Sequence, residues 1–167
     1  EPEGVYVPTN LKGSIICVSE SAEVFVAGAR YAETLEPFVV CADDLDVIQY
    51  GSDDTKTHRK IKHILGQKQH DKVGLLLVSE LFTVGEGGWS GFPSHKHSQD
   101  REGETHHDET YNFRFKPNSG GALQLLQKSE ADPGEAFHVV DRSTFLIDDG
   151  YHPCCVFPGC QMYYFTL

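Results

Sequence analysis

The chain has 167 residues, and 25 acidic side chains against 14 basic ones give a formal net charge of −11. That balance argues against nucleic acid or an anionic membrane surface as a partner. No stretch approaches the ~18 consecutive apolar residues of a spanning helix, so no membrane span of that kind is expected. The length suffices for one well-buried domain, or one domain and part of another.

Taken in chain order, Glu1-Pro2-Glu3-Gly4-Val5-Tyr6 shows neither a basic n-region nor an apolar h-region and does not read as a signal peptide. The chain starts in strand-like fashion without an initiator Met, so it reads as a piece of a longer protein. Period-2 runs predict short strands over residues 14–18, 23–27, 38–40 and 47–50, the last ended by Gly51. Residues 58–65 place Ile61, Ile64 and Leu65 at helical spacing ahead of Gly66, which predicts a short helix. From Lys72 the β signal strengthens. Strands are expected over residues 73–84, 92–97, 109–116, 122–127, 136–140, 143–147 and 162–167, separated by Gly- and Pro-rich turns. Many short strands with such turns mean an all-β sandwich or small barrel. Residues 98–108 are charged and His-rich and read as a loop.

The five cysteines, at 17, 41, 154, 155 and 160, are odd in number and form no Cys-x-x-Cys pair. They fit neither a disulfide framework nor a zinc finger, and reduced thiols in a cytoplasmic protein are the simplest expectation. Cys154 and Cys155 follow His152 closely; they read as small buried hydrophobes, or one of them approaches the site described next.

His95 and His97 are two apart, so on a strand they share a face, with Lys96 opposite. Glu109 opens an alternating aromatic run, and His152 follows a glycine turn. Three imidazoles and a carboxylate on strands or strand ends can form the first shell of a divalent metal. The plainer alternative is surface histidines, since the chain has nine. Glu102 and Glu104 lie nearer His97 in sequence but fall in the loop, and His106 and His107, also in the loop, are either incidental or hold an external metal and are given no role.

The string Gly87-Gly88-Trp89-Ser90-Gly91-Phe92-Pro93-Ser94-His95-Lys96-His97 resembles that of the 5-deoxy-glucuronate isomerases of myo-inositol catabolism, in the cupin superfamily. So does Glu109-Thr-Tyr-Asn-Phe-Arg-Phe, where that family typically has Glu-Val-Tyr-Tyr-Tyr-Arg-Phe; Thr110 and Asn112 depart from it. Gly150-Tyr151-His152-Pro153, Pro158-Gly159 and Met162-Tyr163-Tyr164 carry the resemblance further. It is strong over residues 71–167 and collinear but weaker over residues 5–70.

The resemblance implies an all-β cupin fold, an antiparallel β-barrel or jelly roll, with part of a preceding second cupin. Residues 1–42 would be the last strands of the first cupin, 43–70 a connector and 71–167 the metal-binding cupin, most of the first cupin being absent. It implies His95, His97, Glu109 and His152 as metal ligands. Glu109 lies 12 residues after His97, further than in the generic cupin pattern, which requires an inserted loop. Zinc is the first metal expected, with Mn, Fe or Ni also compatible with this donor set.

The implied reaction is an aldose–ketose isomerisation of a small-molecule sugar acid, 5-deoxy-D-glucuronate to 5-dehydro-2-deoxy-D-gluconate. A divalent ion polarises the carbonyl and stabilises the ene-diolate oxygens. Candidate proton shuttles are Glu109 if it leaves the metal, Tyr151 beside His152, and Tyr111, the last sharing the face of Glu109 unless it is only a core aromatic. Arg114, Lys96 and Arg59 are candidates for the substrate carboxylate, although Lys96 and Arg114 alternate away from the ligand faces. Trp89 either walls the sugar pocket or anchors packing at the barrel mouth. A homo-oligomer is expected from the sheet edges that a missing half-cupin leaves. Competing readings are a 4-deoxy-5-keto-uronate isomerase, an iron-dependent oxygenase, since His/His/carboxylate also suits Fe(II), and a non-catalytic metal-binding cupin.

Overall fold

The computed structural model describes residues 4–167. Its contacts divide into two units. One runs to Leu45 and takes in His63–Val78; the other comprises Asp46–Lys62 and Ser79–Leu167.

In the first unit β1 (Gly4–Tyr6) pairs antiparallel with β2 (Phe38–Val40). Tyr6 stacks on Phe38 at 5.3 Å, and Val40, Leu45, Ile64, Leu65 and Val73 supply buried apolar area. The strands expected over residues 14–18 and 23–27 do not form. An alternating pattern makes a strand only where a neighbour accepts its hydrogen bonds, and here Ile15, Ile16, Val18 and Val26 are exposed.

The remaining strands form two sheets. The larger has the order β10 (Thr144–Ile147), β7 (Glu109–Lys116), β12 (Gln161–Thr166), β5 (Val78–Thr83), β4 (Arg59–Leu65), β3 (Val47–Tyr50). The smaller runs β6 (Gly88–Ser90), β11 (Cys154–Val156), β8 (Gly121–Leu126), β9 (Glu135–Val140). Pairing is antiparallel from β10 through β7 and β12 to β5, between β3 and β4, and throughout the smaller sheet. Alternation decides what faces inward. Tyr111, Phe113 and Phe115 of β7 and Met162 and Tyr164 of β12 meet Ala122, Val139, Cys154 and Val156 of the other sheet in one core. Phe113 is fully enclosed, and burying such a side chain contributes about 1.5–3 kcal/mol. This is an antiparallel jelly roll of the cupin type.

Three further expectations are corrected. Residues 59–65 are strand, not helix: Ile61 also fits a period of two, and β4 pairs with β3 from Val47↔Lys62 to Tyr50↔Arg59. The strand expected over 73–84 is confined to β5, with Leu75 and Leu77 exposed ahead of it. Residues 92–97 carry no strand. Gly91 takes a φ of +65° and Pro93 has no N–H to donate, so the strand of this region is the shorter β6, paired with β11. Neither β6 nor β11 was expected from the pattern. The five cysteines form no disulfide. Among the described residues no helix is long and apolar enough to cross a membrane.

Candidate metal centre

Two glycines bring the chain together at this site. A Cβ on Gly91 would lie 3.3 Å from both the His152 carbonyl oxygen and the Pro153 Cα, so only glycine lets the chain leaving β6 pass this close. Gly150, at φ +112°, turns the chain leaving β10 so that His152 enters the interior, where it is nearly inaccessible. Ile147 at the end of β10 lies opposite Glu109 at the start of β7, which brings the carboxylate to the same end of the sheet.

His95, His97 and His152 converge, with ligand atoms within 4.8 Å of one another. Their ring centroids stand 4.9 Å apart for His95–His152, 5.1 Å for His95–His97 and 5.8 Å for His97–His152. Glu109 Oε2 sits 2.9 Å from His152 Nε2. His95 and His97 thus meet, although a loop carries them and not the expected strand.

Each ring has its Nδ1 committed elsewhere. Nδ1 of His95 donates to the Pro93 carbonyl at 3.2 Å and that of His152 to the Gly150 carbonyl at 2.8 Å. Nδ1 of His97 lies 3.3 Å from the Glu104 carboxylate, which Arg101 grips through Nε and Nη2. A carbonyl or carboxylate partner makes Nδ1 the donor and leaves the Nε2 lone pair for an ion. His152 Nε2 is buried, and despite its closeness to Glu109 its bonding direction finds no hydrogen-bond partner. An orphaned nitrogen beside a carboxylate and two further imidazoles is the donor set of a divalent metal, and the residues fit one.

The electrostatics agree. Burial lowers the pKa of His95 and of His97, so both are neutral at pH 7, as ligands must be. Burial would also lower that of His152, but the Glu109 carboxylate and the Gly150 carbonyl outweigh it and raise it. Burial pushes Glu109 up, yet the nearby His152, with the charges of His97 and His107, holds it below the usual carboxylate range.

The other expected residues divide. Tyr111 is buried under the site; its hydroxyl donates to Glu109 Oε2 at 3.3 Å and its ring stacks on Tyr164 at 4.3 Å. Burial pushes its pKa well up, so it stays a neutral donor. Tyr151 precedes His152 and lies half-buried, with Lys96 Nζ 5.1 Å from its ring centre. Arg59 donates to the Thr57 carbonyl at 3.0 Å and the Phe92 carbonyl at 3.3 Å, near enough for its charge to act on His95. Arg114 alternates with Tyr111, Phe113 and Phe115 and so lies on the outward face of β7, away from the ligands. Trp89 alternates with core-facing Ser90 and packs on Phe92 at 5.6 Å, outside the ligand cluster.

Two loop residues take part in ways the sequence did not assign, Glu104 having been weighed only as an alternative ligand. Glu104 orients His97. His107 stacks on His97 at 4.2 Å, and with His97 and Glu109 forms a second group of converging ligand atoms. The signal for His107 was present: it stands two residues before Glu109, the same spacing that singled out His95 and His97.

The sequence matches the KduI/IolB family over residues 1–167. The 5-deoxy-glucuronate isomerase of Geobacillus kaustophilus is 30% identical over 167 residues, 99% of this chain and 58% of that protein. That of Bacillus subtilis strain 168 is 28% identical over 166 residues, 99% of this chain and 59% of that protein. The chain therefore spans just under three fifths of the length of these curated relatives. Among solved structures, an IolB-like protein from Salmonella typhimurium is similar with a TM-score of 0.72 and 30% identity, over 81% of this chain and 50% of that one.

Proposed function

The chain belongs to the KduI/IolB family, and from that premise we propose that it is a metal-dependent aldose–ketose isomerase converting 5-deoxy-D-glucuronate to 5-dehydro-2-deoxy-D-gluconate. The observation that carries this reading is the convergence of His95, His97 and His152 beside Glu109, with the buried Nε2 of His152 lacking a hydrogen-bond partner. The names of the relatives supply the substrate.

His95, His97, Glu109 and His152 would hold the ion, zinc foremost among the metals that accept such donors. When bound it supplies Lewis-acid polarisation of the substrate carbonyl. The rest falls to the chain's own residues. Isomerisation takes a proton from the carbinol carbon, returns it to the neighbouring carbonyl carbon, and moves a second proton between the two oxygens. Glu109 Oε1, the carboxylate oxygen not against His152, carries the carbon-bound proton. The Tyr111 hydroxyl holds Oε2 and so keeps the carboxylate in register. Tyr151, next to His152 in the chain, serves the oxygen-to-oxygen transfer. Lys96 beside Tyr151 and Arg59 near His95 supply positive charge for the substrate carboxylate. Arg114, on the outward face of β7, does not take that role.

The test is to load the protein with zinc and follow 5-deoxy-glucuronate by proton NMR in D2O. Conversion with deuterium entering the migrating position is expected, lost in His152→Ala. A zinc-loaded protein that leaves this acid unchanged would refute the reading. Turnover of 4-deoxy-5-keto-uronate alone would move it to the other uronate, and turnover of neither to a non-catalytic cupin.

A further inference from the structure

Beyond the four proposed ligands, the site has an unassigned imidazole. The chain leaves His97, turns at Gly103 and returns to His107, whose backbone N–H donates to the His97 carbonyl at 3.2 Å. Arg101 and Glu104 pair across the turn by two backbone hydrogen bonds of 2.9 and 3.0 Å. This hairpin-like return brings residues 97 and 107 side by side, which is why their rings stack at 4.2 Å and 22°.

His107 is prepared as the other rings are. Its Nδ1 donates to the Thr105 carbonyl at 2.9 Å, the same two-residue step back that His95 and His152 use. Its Nε2 is left with a lone pair, 4.0 Å from Glu109 Oε1. Glu109 thus faces two histidines, His152 with one oxygen and His107 with the other. His97, His107 and Glu109 have ligand atoms within 4.8 Å of one another, and all three line the same pocket as His152.

We infer that His107 is a fifth protein ligand of the divalent metal, occupying a position that three histidines and one carboxylate leave open and yielding it to a substrate oxygen. The inference rests on the metal reading above. A five- or six-coordinate ion has one or two sites beyond the four proposed ligands. The His107 side chain is 30% exposed, against 1% for His152 and 14% for Glu109, so a substrate oxygen reaches it more readily than either sheet-borne donor; His95, on the other loop arm, is exposed as well. The loop that carries it is tied by its own backbone hydrogen bonds, one of them from the His107 N–H to the His97 carbonyl.

Co2+ alone, titrated into the metal-free chain, tests this, because its visible absorption reports coordination number. His107→Phe keeps a ring to stack on His97 but removes the nitrogen. It is expected to take up one Co2+ per chain about tenfold more weakly than the parent, with a shifted band. His107→Cys, which restores a donor, brings the affinity back. His106→Ala, one residue away, leaves band and affinity unchanged. Far-UV circular dichroism confirms that each variant is folded. A His107→Phe band and Kd equal to the parent's overturn the inference, and the four-ligand site still stands if His152→Ala abolishes uptake. Unchanged binding in both variants removes site and inference together.

Discussion

The candidate metal centre has two halves built by different means. Glu109 and His152 stand on the sheet, one at the first residue of β7 and the other two residues beyond Gly150, both largely enclosed. His95, His97 and His107 stand on irregular chain, aimed by single hydrogen bonds from Nδ1 to Pro93, Glu104 and Thr105. The sheet half inherits its precision from a core that resists any change of shape. The loop half has it only through local polar contacts. Damage to the first should therefore reach stability as well as metal, and damage to the second should reach metal alone.

The largest effect is expected at the core beneath the sheet half. Phe113→Ala empties a fully enclosed position and should cost about 3–5 kcal/mol by urea denaturation. A loss below 1 kcal/mol would mean that β7 is not the rigid support described here. Next, His152→Ala should lower zinc affinity by about 100-fold or more by competition with a chromophoric chelator, since it removes the most buried donor. If zinc binds equally well, the sheet half is not the anchor.

pH separates the apo from the loaded state. His152 has its folded pKa raised, so in the metal-free chain its protonated form draws stability from Glu109 below 6.5 and loses it as pH climbs through the raised value. Metal needs the same nitrogen bare, so its affinity rises over that interval, with a proton released per ion. The rise in Tm on adding zinc should therefore grow with pH between about 5.5 and 8. A metal-induced shift independent of pH would contradict the proposed role of His152.

The smallest effect is expected in the loop half. Glu104→Gln loosens the hold on His97 Nδ1 and frees Arg101, and should weaken zinc by about tenfold while urea stability stays unchanged. An equal loss of stability would show that the loop is load-sharing with the sheets.

How much of this was legible in the sequence follows the same division. β7, β3 and β2 lie where alternation put them, and β8, β9, β10 and β12 come within a residue or so, because each packs one face on a core that alternation encodes. Residues 58–65 misled because Ile61, Ile64 and Leu65 satisfy 3.6 as well as part of a period of two; pairing with β3 decides it. Residues 14–18 and 23–27 misled because alternation does not reveal whether a partner strand exists. His95 and His97 do meet His152, but through a loop conformation that spacing on a strand does not describe. His107 was passed over because its segment was read as loop, although its spacing from Glu109 carried the same information as the pair before it.

The return turn between His97 and His107 has one more consequence, for engineering. Its stem is tied by backbone hydrogen bonds, whereas a Cβ on Gly103 at its tip would meet nothing within 4 Å. Length at the tip is thereby uncoupled from geometry at the stem. A peptide epitope or small fluorescent probe inserted beside Gly103, with that glycine kept because its φ is +77°, would sit near the candidate metal site, giving an optical handle on loading in a protein whose core tolerates no such insertion.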